Sequence, residues 1–134
     1  MKLIVDGENV PLGRIGSYVS KELLKGKDVE IINSEKVVIS GSKKDILQKV
    51  VVLRQKGGHS LKGPQFPKLA DRFLKRKIRG MLPWDKSKGR VAYKRLRCYI
   101  GNPLKAEEGK NIKKLDFRKP LKSLTIKQIC DYLK

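Results

Sequence analysis

Apolar and polar positions alternate along the first 53 residues with two distinct periods. Lys2-Leu3-Ile4-Val5-Asp6 is a short aliphatic run closed by Asp6-Gly7, the pattern of a buried strand entering a turn. Leu12, Ile15, Val19 and Leu23 then recur at helical spacing, and Gly26 ends the stripe. Val29-Glu30-Ile31-Ile32-Asn33 predicts a second strand and Val37-Val38-Ile39 a third, shorter one. Ser42 is placed to cap a further helix, on which Ile46, Leu47, Val50 and Leu53 face one way. Strand and helix alternating in this manner predict an α/β sandwich with mainly parallel pairing.

From residue 54 the pattern changes. RQKGGHSLKGPQFP, residues 54–67, has no apolar period and carries several glycine and proline breakers, so it reads as a long loop. Loops of that length in compact domains are usually functional or disordered. A helix resumes at Lys68. Leu69, Ala70, Phe73, Leu74 and Ile78 occupy one half of its wheel, and Lys68, Arg72, Lys75, Arg76 and Arg79 the other. Lys77 alone points toward the apolar side, where its stem can snorkel. Pro83 stops this helix. A shorter helix over 87–96 and a strand over 97–101 follow. Residues 102–122 are polar and lysine-rich and read as an extended arm. Thr125-Ile126-Lys127-Gln128 has the capping-box form and opens a last helix carrying Ile126, Ile129, Cys130 and Leu133 on one side. No internal repeat interrupts this order, and 134 residues suit one domain.

Charge divides the chain more sharply than hydropathy does. The net charge is +20, with nine basic and seven acidic residues in 1–53, fifteen and two in 54–97, and nine and four in 98–134. A nearly neutral α/β body (1–53) therefore precedes a dedicated polyanion-binding segment (54–97), and an arm with a terminal helix (102–134) completes the domain. Self-repulsion on this scale calls for an anionic partner.

Other chemistries fit poorly. Cys98 and Cys130 lack metal-ligand spacing and the chain has one histidine, so no metal and no cofactor are expected and both thiols read as reduced and buried. No apolar run approaches the ~20 residues of a membrane span. The amino terminus turns polar at residue six, unlike a signal peptide, so an intracellular, cytoplasmic protein is expected. Gly13-Arg14-Ile15-Gly16 follows a strand, but Pro11 stands where the dinucleotide fingerprint needs glycine, and Gly7 and Gly13 have the wrong spacing for a triphosphate loop. Gly13 and Gly16 instead predict close helix–sheet packing, while Arg14, near a helix start, is a candidate phosphate ligand. The carboxylates are scattered and His59 has no partner at useful spacing, so no catalytic residue is assigned.

The basic segment carries the functional signal. Lysine and arginine release counterions from a phosphate backbone, and arginine also forks onto phosphates or stacks on bases. Arg54, Lys56, His59 and Lys62 in the loop are candidate RNA contacts. So are Lys68, Arg72, Arg76 and Arg79 on the helix, Lys86, Lys88 and Arg90 after Pro83, and Lys119 and Lys122 in the arm. Loops, a helical ridge and an arm together suit an irregular RNA better than a DNA groove. Trp84 has two readings, packing in the core or stacking on RNA or a neighbour.

Several stretches carry a family likeness. Arg79-Gly80-Met81-Leu82-Pro83, Gly89-Arg90, Lys94-Arg95-Leu96-Arg97 and Tyr99-Ile100-Gly101 resemble the signature of the large-subunit ribosomal protein thirteen (universal uL-thirteen) family. Asp6-Gly7, Leu12-Gly13-Arg14, Leu24-Lys25-Gly26 and Ile32-Asn33-Ser34-Glu35-Lys36 stand in the same family order. Gly63-Pro64 and Trp84-Asp85-Lys86 resemble the archaeal or eukaryotic type, and the likeness is weakest over 102–134. The resemblance implies a three-layer α/β/α sandwich on a four-stranded, mainly parallel sheet. It also implies binding to large-subunit rRNA beside neighbouring large-subunit proteins, with a bracing and not a catalytic role. A regulator acting off the ribosome on mRNA is the alternative, and an RNA-processing enzyme using His59 or Asp71 a more distant one.

Overall fold

The computed structural model describes residues 2–56, 67–103 and 112–133. His59 and Lys62, with the loop glycines around them, lie outside the described residues. The chain forms β1 (Lys2–Asp6), α1 (Leu12–Leu24), β2 (Asp28–Ile32), a 3-10 turn (Ser34–Lys36), β3 (Val38–Ser40) and α2 (Lys43–Gln55). Then follow α3 (Ala70–Arg79), α4 (Ser87–Lys94), β4 (Leu96–Cys98), β5 (Ile112–Lys114), β6 (Ser123–Thr125) and α5 (Ile126–Leu133).

Four strands make a wholly parallel sheet in the order β4-β2-β1-β5. The α/β class and the four-stranded parallel sheet match the expectation, but the membership differs at one place. β3 does not join this sheet and pairs antiparallel with β6. Its separation from β2 explains the difference: only residues 33–37 connect the two. A parallel crossover needs a dozen or more residues. The vacant edge beside β1 is taken by β5, from within the stretch read as an arm.

Side chains alternate across each strand, so Val5, Val29, Ile31 and Leu96 line one face. They pack there with Ile15, Val19 and Leu23 of α1, Phe73, Leu74 and Ile78 of α3, and Ala92 of α4. Ile126, Ile129 and Cys130 of α5 extend the same core. Ile4 and Ile32 are buried on the opposite face and stand outside this cluster. Glu30 is also buried on that face and ion-pairs with Lys2 at 3.2 Å.

The helix boundaries follow local chemistry. Ser42 accepts from the Asp45 amide and caps α2. Thr125 and Gln128 close a reciprocal capping box on α5, at 3.3 and 3.0 Å. Gly26, at φ +97, ends α1, and Arg95 donates through Nη2 to the Leu23 carbonyl there. Beside it Glu22 is held by Lys27 and Lys25, whose ammonium groups bring its carboxyl down to about 2. α4 stops at Lys94, short of the expected 96, because Leu96 is needed in β4. Among the described residues no helix is long and apolar enough to cross a membrane.

Candidate nucleic-acid interface

The basic ridge is built by a helix with two opposed faces. Ala70, Phe73, Leu74 and Ile78 are buried in the core, which turns Arg72 and Arg76 outward and leaves Lys75 and Arg79 half-buried. Lys68 precedes the helix and is exposed. Lys77 sits among the apolar positions with Nζ 5.7 Å from the centroid of the Phe73 ring, and burial lowers its pKa.

After α3 the chain turns through Gly80–Lys86. The Met81 amide donates to the Ile78 carbonyl, Leu82 to Arg79, Trp84 to Leu82, and Lys86 to Pro83. Leu82 is buried in the core. Met81 lies against Gly16 of α1, where a Cβ would overlap its thioether. The expectation for the α1 glycines is thereby corrected. Gly16 makes room for Met81 and not for the sheet, while Gly13 is exposed and an added Cβ there would meet open space. Gly89 of α4 lies so close to the Pro83 carbonyl that a Cβ would overlap backbone.

Trp84 is half-buried and lies outside the core cluster. Its ring meets Tyr93 edge to face, with centroids 5.2 Å apart and planes at 89°. The Arg79 guanidinium sits 4.0 Å over the Trp84 ring, and Lys75 Nζ sits 4.9 Å over the Tyr93 ring. Arg90 braces the same turn from α4: Nε donates to the Trp84 carbonyl at 3.0 Å and Nη2 to the Asp85 carbonyl at 3.2 Å. Lys86 and Lys88 are exposed where α4 begins. Arg72, Arg76, Arg79, Lys86, Lys88 and Arg90 therefore share one continuous stretch of helix, turn and helix.

A cleft of about 260 Å³ lies between α3 and the β4 edge, lined by Asp71, Arg72, Lys75, Arg97, Cys98 and Tyr99. Burial pushes the Cys98 thiol up to about 12, with Asp71 adding to the rise and Lys75 opposing it. Burial likewise raises Tyr93, with Cys98 adding and Arg76 opposing. Both thiols are free of disulfide; Cys130 is buried as expected, whereas Cys98 is only half-buried because it lines this cleft. Tyr93, Lys75 and Arg97 are not among the sequence candidates. Lys75 is visible on the basic half of the wheel, and Arg97 as a charge in a strand. Tyr93 gives no signal, since nothing in its neighbours shows which helix it touches.

The other candidates lie elsewhere. Arg54 and Lys56 end α2, which packs chiefly on α5 and β6. Arg14 is exposed on the first turn of α1, 5.9 Å from the centroid of the Phe117 ring, and Lys113 stands 4.7 Å over Tyr18. These two pairs fasten the arm to α1. Lys119 and Lys122 are exposed beyond that attachment, with the Lys122 carbonyl accepting from the Gly41 amide.

Comparison with known proteins bears on these observations. Residues 1–105 match the family described as Ribosomal protein L13. A large ribosomal subunit protein uL13 from Methanopyrus kandleri is 45% identical over 78% of this chain, which spans 65% of that relative's length. Relatives of the same description from Archaeoglobus fulgidus and Natronomonas pharaonis are each 35% identical, over 97% and 98% of this chain and 86% and 90% of theirs. The family match ends where the likeness weakens, at the start of the arm. The chain belongs to the ribosomal protein L13 family.

Proposed function

We propose that this protein is a structural constituent of the large ribosomal subunit that binds and braces large-subunit rRNA beside neighbouring ribosomal proteins. Its role is structural and not catalytic. Within a single domain, residues 1–53 supply the α/β body, 54–97 the RNA-binding segment, and 102–134 an arm and terminal helix. The observation that carries this reading is the α3 ridge with its following turn. Exposed cations are fixed there to a buried face of the same helix, so charge and shape are presented together. Cations held in this way offset phosphate repulsion where RNA helices pack, and a rigid surface selects one RNA shape.

Fractionation of a cell lysate on a sucrose gradient, with mass spectrometry of the fractions, tests the assignment. Stoichiometric recovery with the large subunit is expected, and recovery only in free fractions would refute it in favour of a role off the ribosome. Binding to large-subunit rRNA in vitro should weaken steeply with salt, as for a protein touching roughly 6–10 phosphates. A flat salt response counts against the reading.

A further inference from the structure

The aromatic rings nearest the basic ridge already have cations over them. Arg79 covers Trp84 and Lys75 covers Tyr93, while the two rings buttress each other at right angles. Lys75 and Arg79 are one turn apart on α3, about 6 Å along its axis. That separation is close to the distance between successive phosphates on one RNA strand. The turn bearing Trp84 is itself fixed, by the two Arg90 hydrogen bonds, by Gly89 against Pro83 and by Leu82 in the core.

We propose that Trp84 and Tyr93 form an orienting plate that holds Lys75 and Arg79 as a pre-aligned pair for two consecutive phosphates of one rRNA strand. The inference rests on the rRNA-binding reading above. A free arginine must lose rotamer freedom when it binds, and that ordering weakens the complex. A guanidinium held 4.0 Å over the centroid of an indole has lost much of it already. Its N–H donors form a planar fork that matches a phosphate. A base stacking on Trp84 would compete for the ring face that Arg79 covers. Trp84 is therefore a positioning residue that acts through Arg79.

A double-mutant cycle on the full chain tests this, with filter binding to an in vitro transcript of archaeal large-subunit rRNA. Arg79→Ala and Trp84→Leu should each weaken binding about five- to tenfold. The double variant should be no more than about twofold weaker than Arg79→Ala, since the two losses share one contact. Trp84→Phe keeps a ring under the guanidinium and should bind within about twofold of the unaltered protein. Trp84 is the only tryptophan, so its fluorescence reports on this ring alone and should change little at saturating RNA. Multiplying losses in the double variant, unaltered binding by Trp84→Leu, or deep quenching by RNA would each overturn the proposal. Should Trp84→Leu fail to fold, the fluorescence titration of the unaltered protein still decides. A wild-type protein without salt-dependent binding would remove the rRNA reading itself. Salt-dependent binding with multiplying losses would remove only the plate.

Discussion

Gly89 and Gly13 are both helical glycines, and replacing each by alanine should move stability in opposite directions. Helix propensity alone favours alanine at either site by about 1 kcal/mol. At Gly13 nothing lies within 4 Å of the added Cβ, so Gly13→Ala should raise stability by up to that amount. At Gly89 the Cβ meets the carbonyl of Pro83, which is backbone and has no rotamer to escape into. The first turn of α4 must then lift away from residues 83–85. That movement strains the bonds from Lys86 to Pro83 and from Arg90 to Trp84 and Asp85. Overpacking costs about 1–3 kcal/mol where side chains can adjust. A backbone contact belongs at the upper end, and subtracting the propensity gain leaves a net loss of about 2 kcal/mol. For a domain of this size Tm should fall by about 6–10 °C. Thermal unfolding followed by circular dichroism, with the two variants side by side, measures both signs. A Gly89→Ala variant as stable as the unaltered protein, or shifted in the same direction as Gly13→Ala, would refute the close approach.

Three further outcomes follow from contacts elsewhere in the fold. The Glu22 carboxyl is held at about 2 against an ordinary 4.5, so its stabilising effect is complete above the ordinary value and disappears as pH falls toward 2. Tm measured between pH 6 and pH 2 should therefore fall less steeply in Glu22→Gln, and parallel curves would refute the role of Lys25 and Lys27. With the Cys98 thiol near 12, almost no thiolate exists at pH 8, so iodoacetamide should label it far more slowly in the folded protein than in denaturant. Equal labelling rates would contradict the desolvation of this half-buried thiol beside α3. Thr125→Ala removes the hydroxyl that accepts from the Gln128 amide, which should cost about 1 kcal/mol and lower Tm by roughly 3–5 °C; an unchanged Tm would show that the cap contributes nothing.

Features set by near neighbours in the chain are legible in the sequence, and features set by distant contacts are not. The two faces of α3 show in the wheel because Phe73, Leu74 and Ile78 repeat with the helical period, and Ser42 and Thr125 announce their caps by identity. β5 and β6 escape notice because each has only three residues, in a lysine-rich stretch without alternation. Only a partner strand far away in sequence makes them strands. β3 reads correctly as extended, but its antiparallel pairing with β6 outside the main sheet does not show, since local pattern does not specify pairing. At the interface the cations are legible and their support is not. Trp84 stands out as an anomaly, but its contacts with Arg79 and Tyr93 depend on the angle between α3 and α4. Gly16 misleads for a similar reason, because Met81 approaches it from another element.

The basic segment is not an appendage of the neutral body, and this decides how charge and fold interact. Phe73, Leu74, Ile78 and Leu82 come from the segment of highest charge and complete the same core as Val5, Ile15 and Ile31 from the body. β4, from the same segment, pairs with β2 at one edge of the sheet. Clustered cations on α3 repel one another and weaken the free domain, and core burial must offset that repulsion for the ridge to keep its shape. Added salt screens the repulsion within about 10 Å at 0.1 M and so favours the free fold, yet the same salt weakens attraction to phosphate. With rRNA as the proposed partner the balance reverses: an RNA that neutralises the ridge and prefers the folded form contributes at most about 2.7 kcal/mol at a hundred times its dissociation constant. On the proposed rRNA-binding role, the density of cations that makes the isolated domain harder to hold together is what ties its folded state to the RNA, and the rings beneath Lys75 and Arg79 lie where those two demands meet.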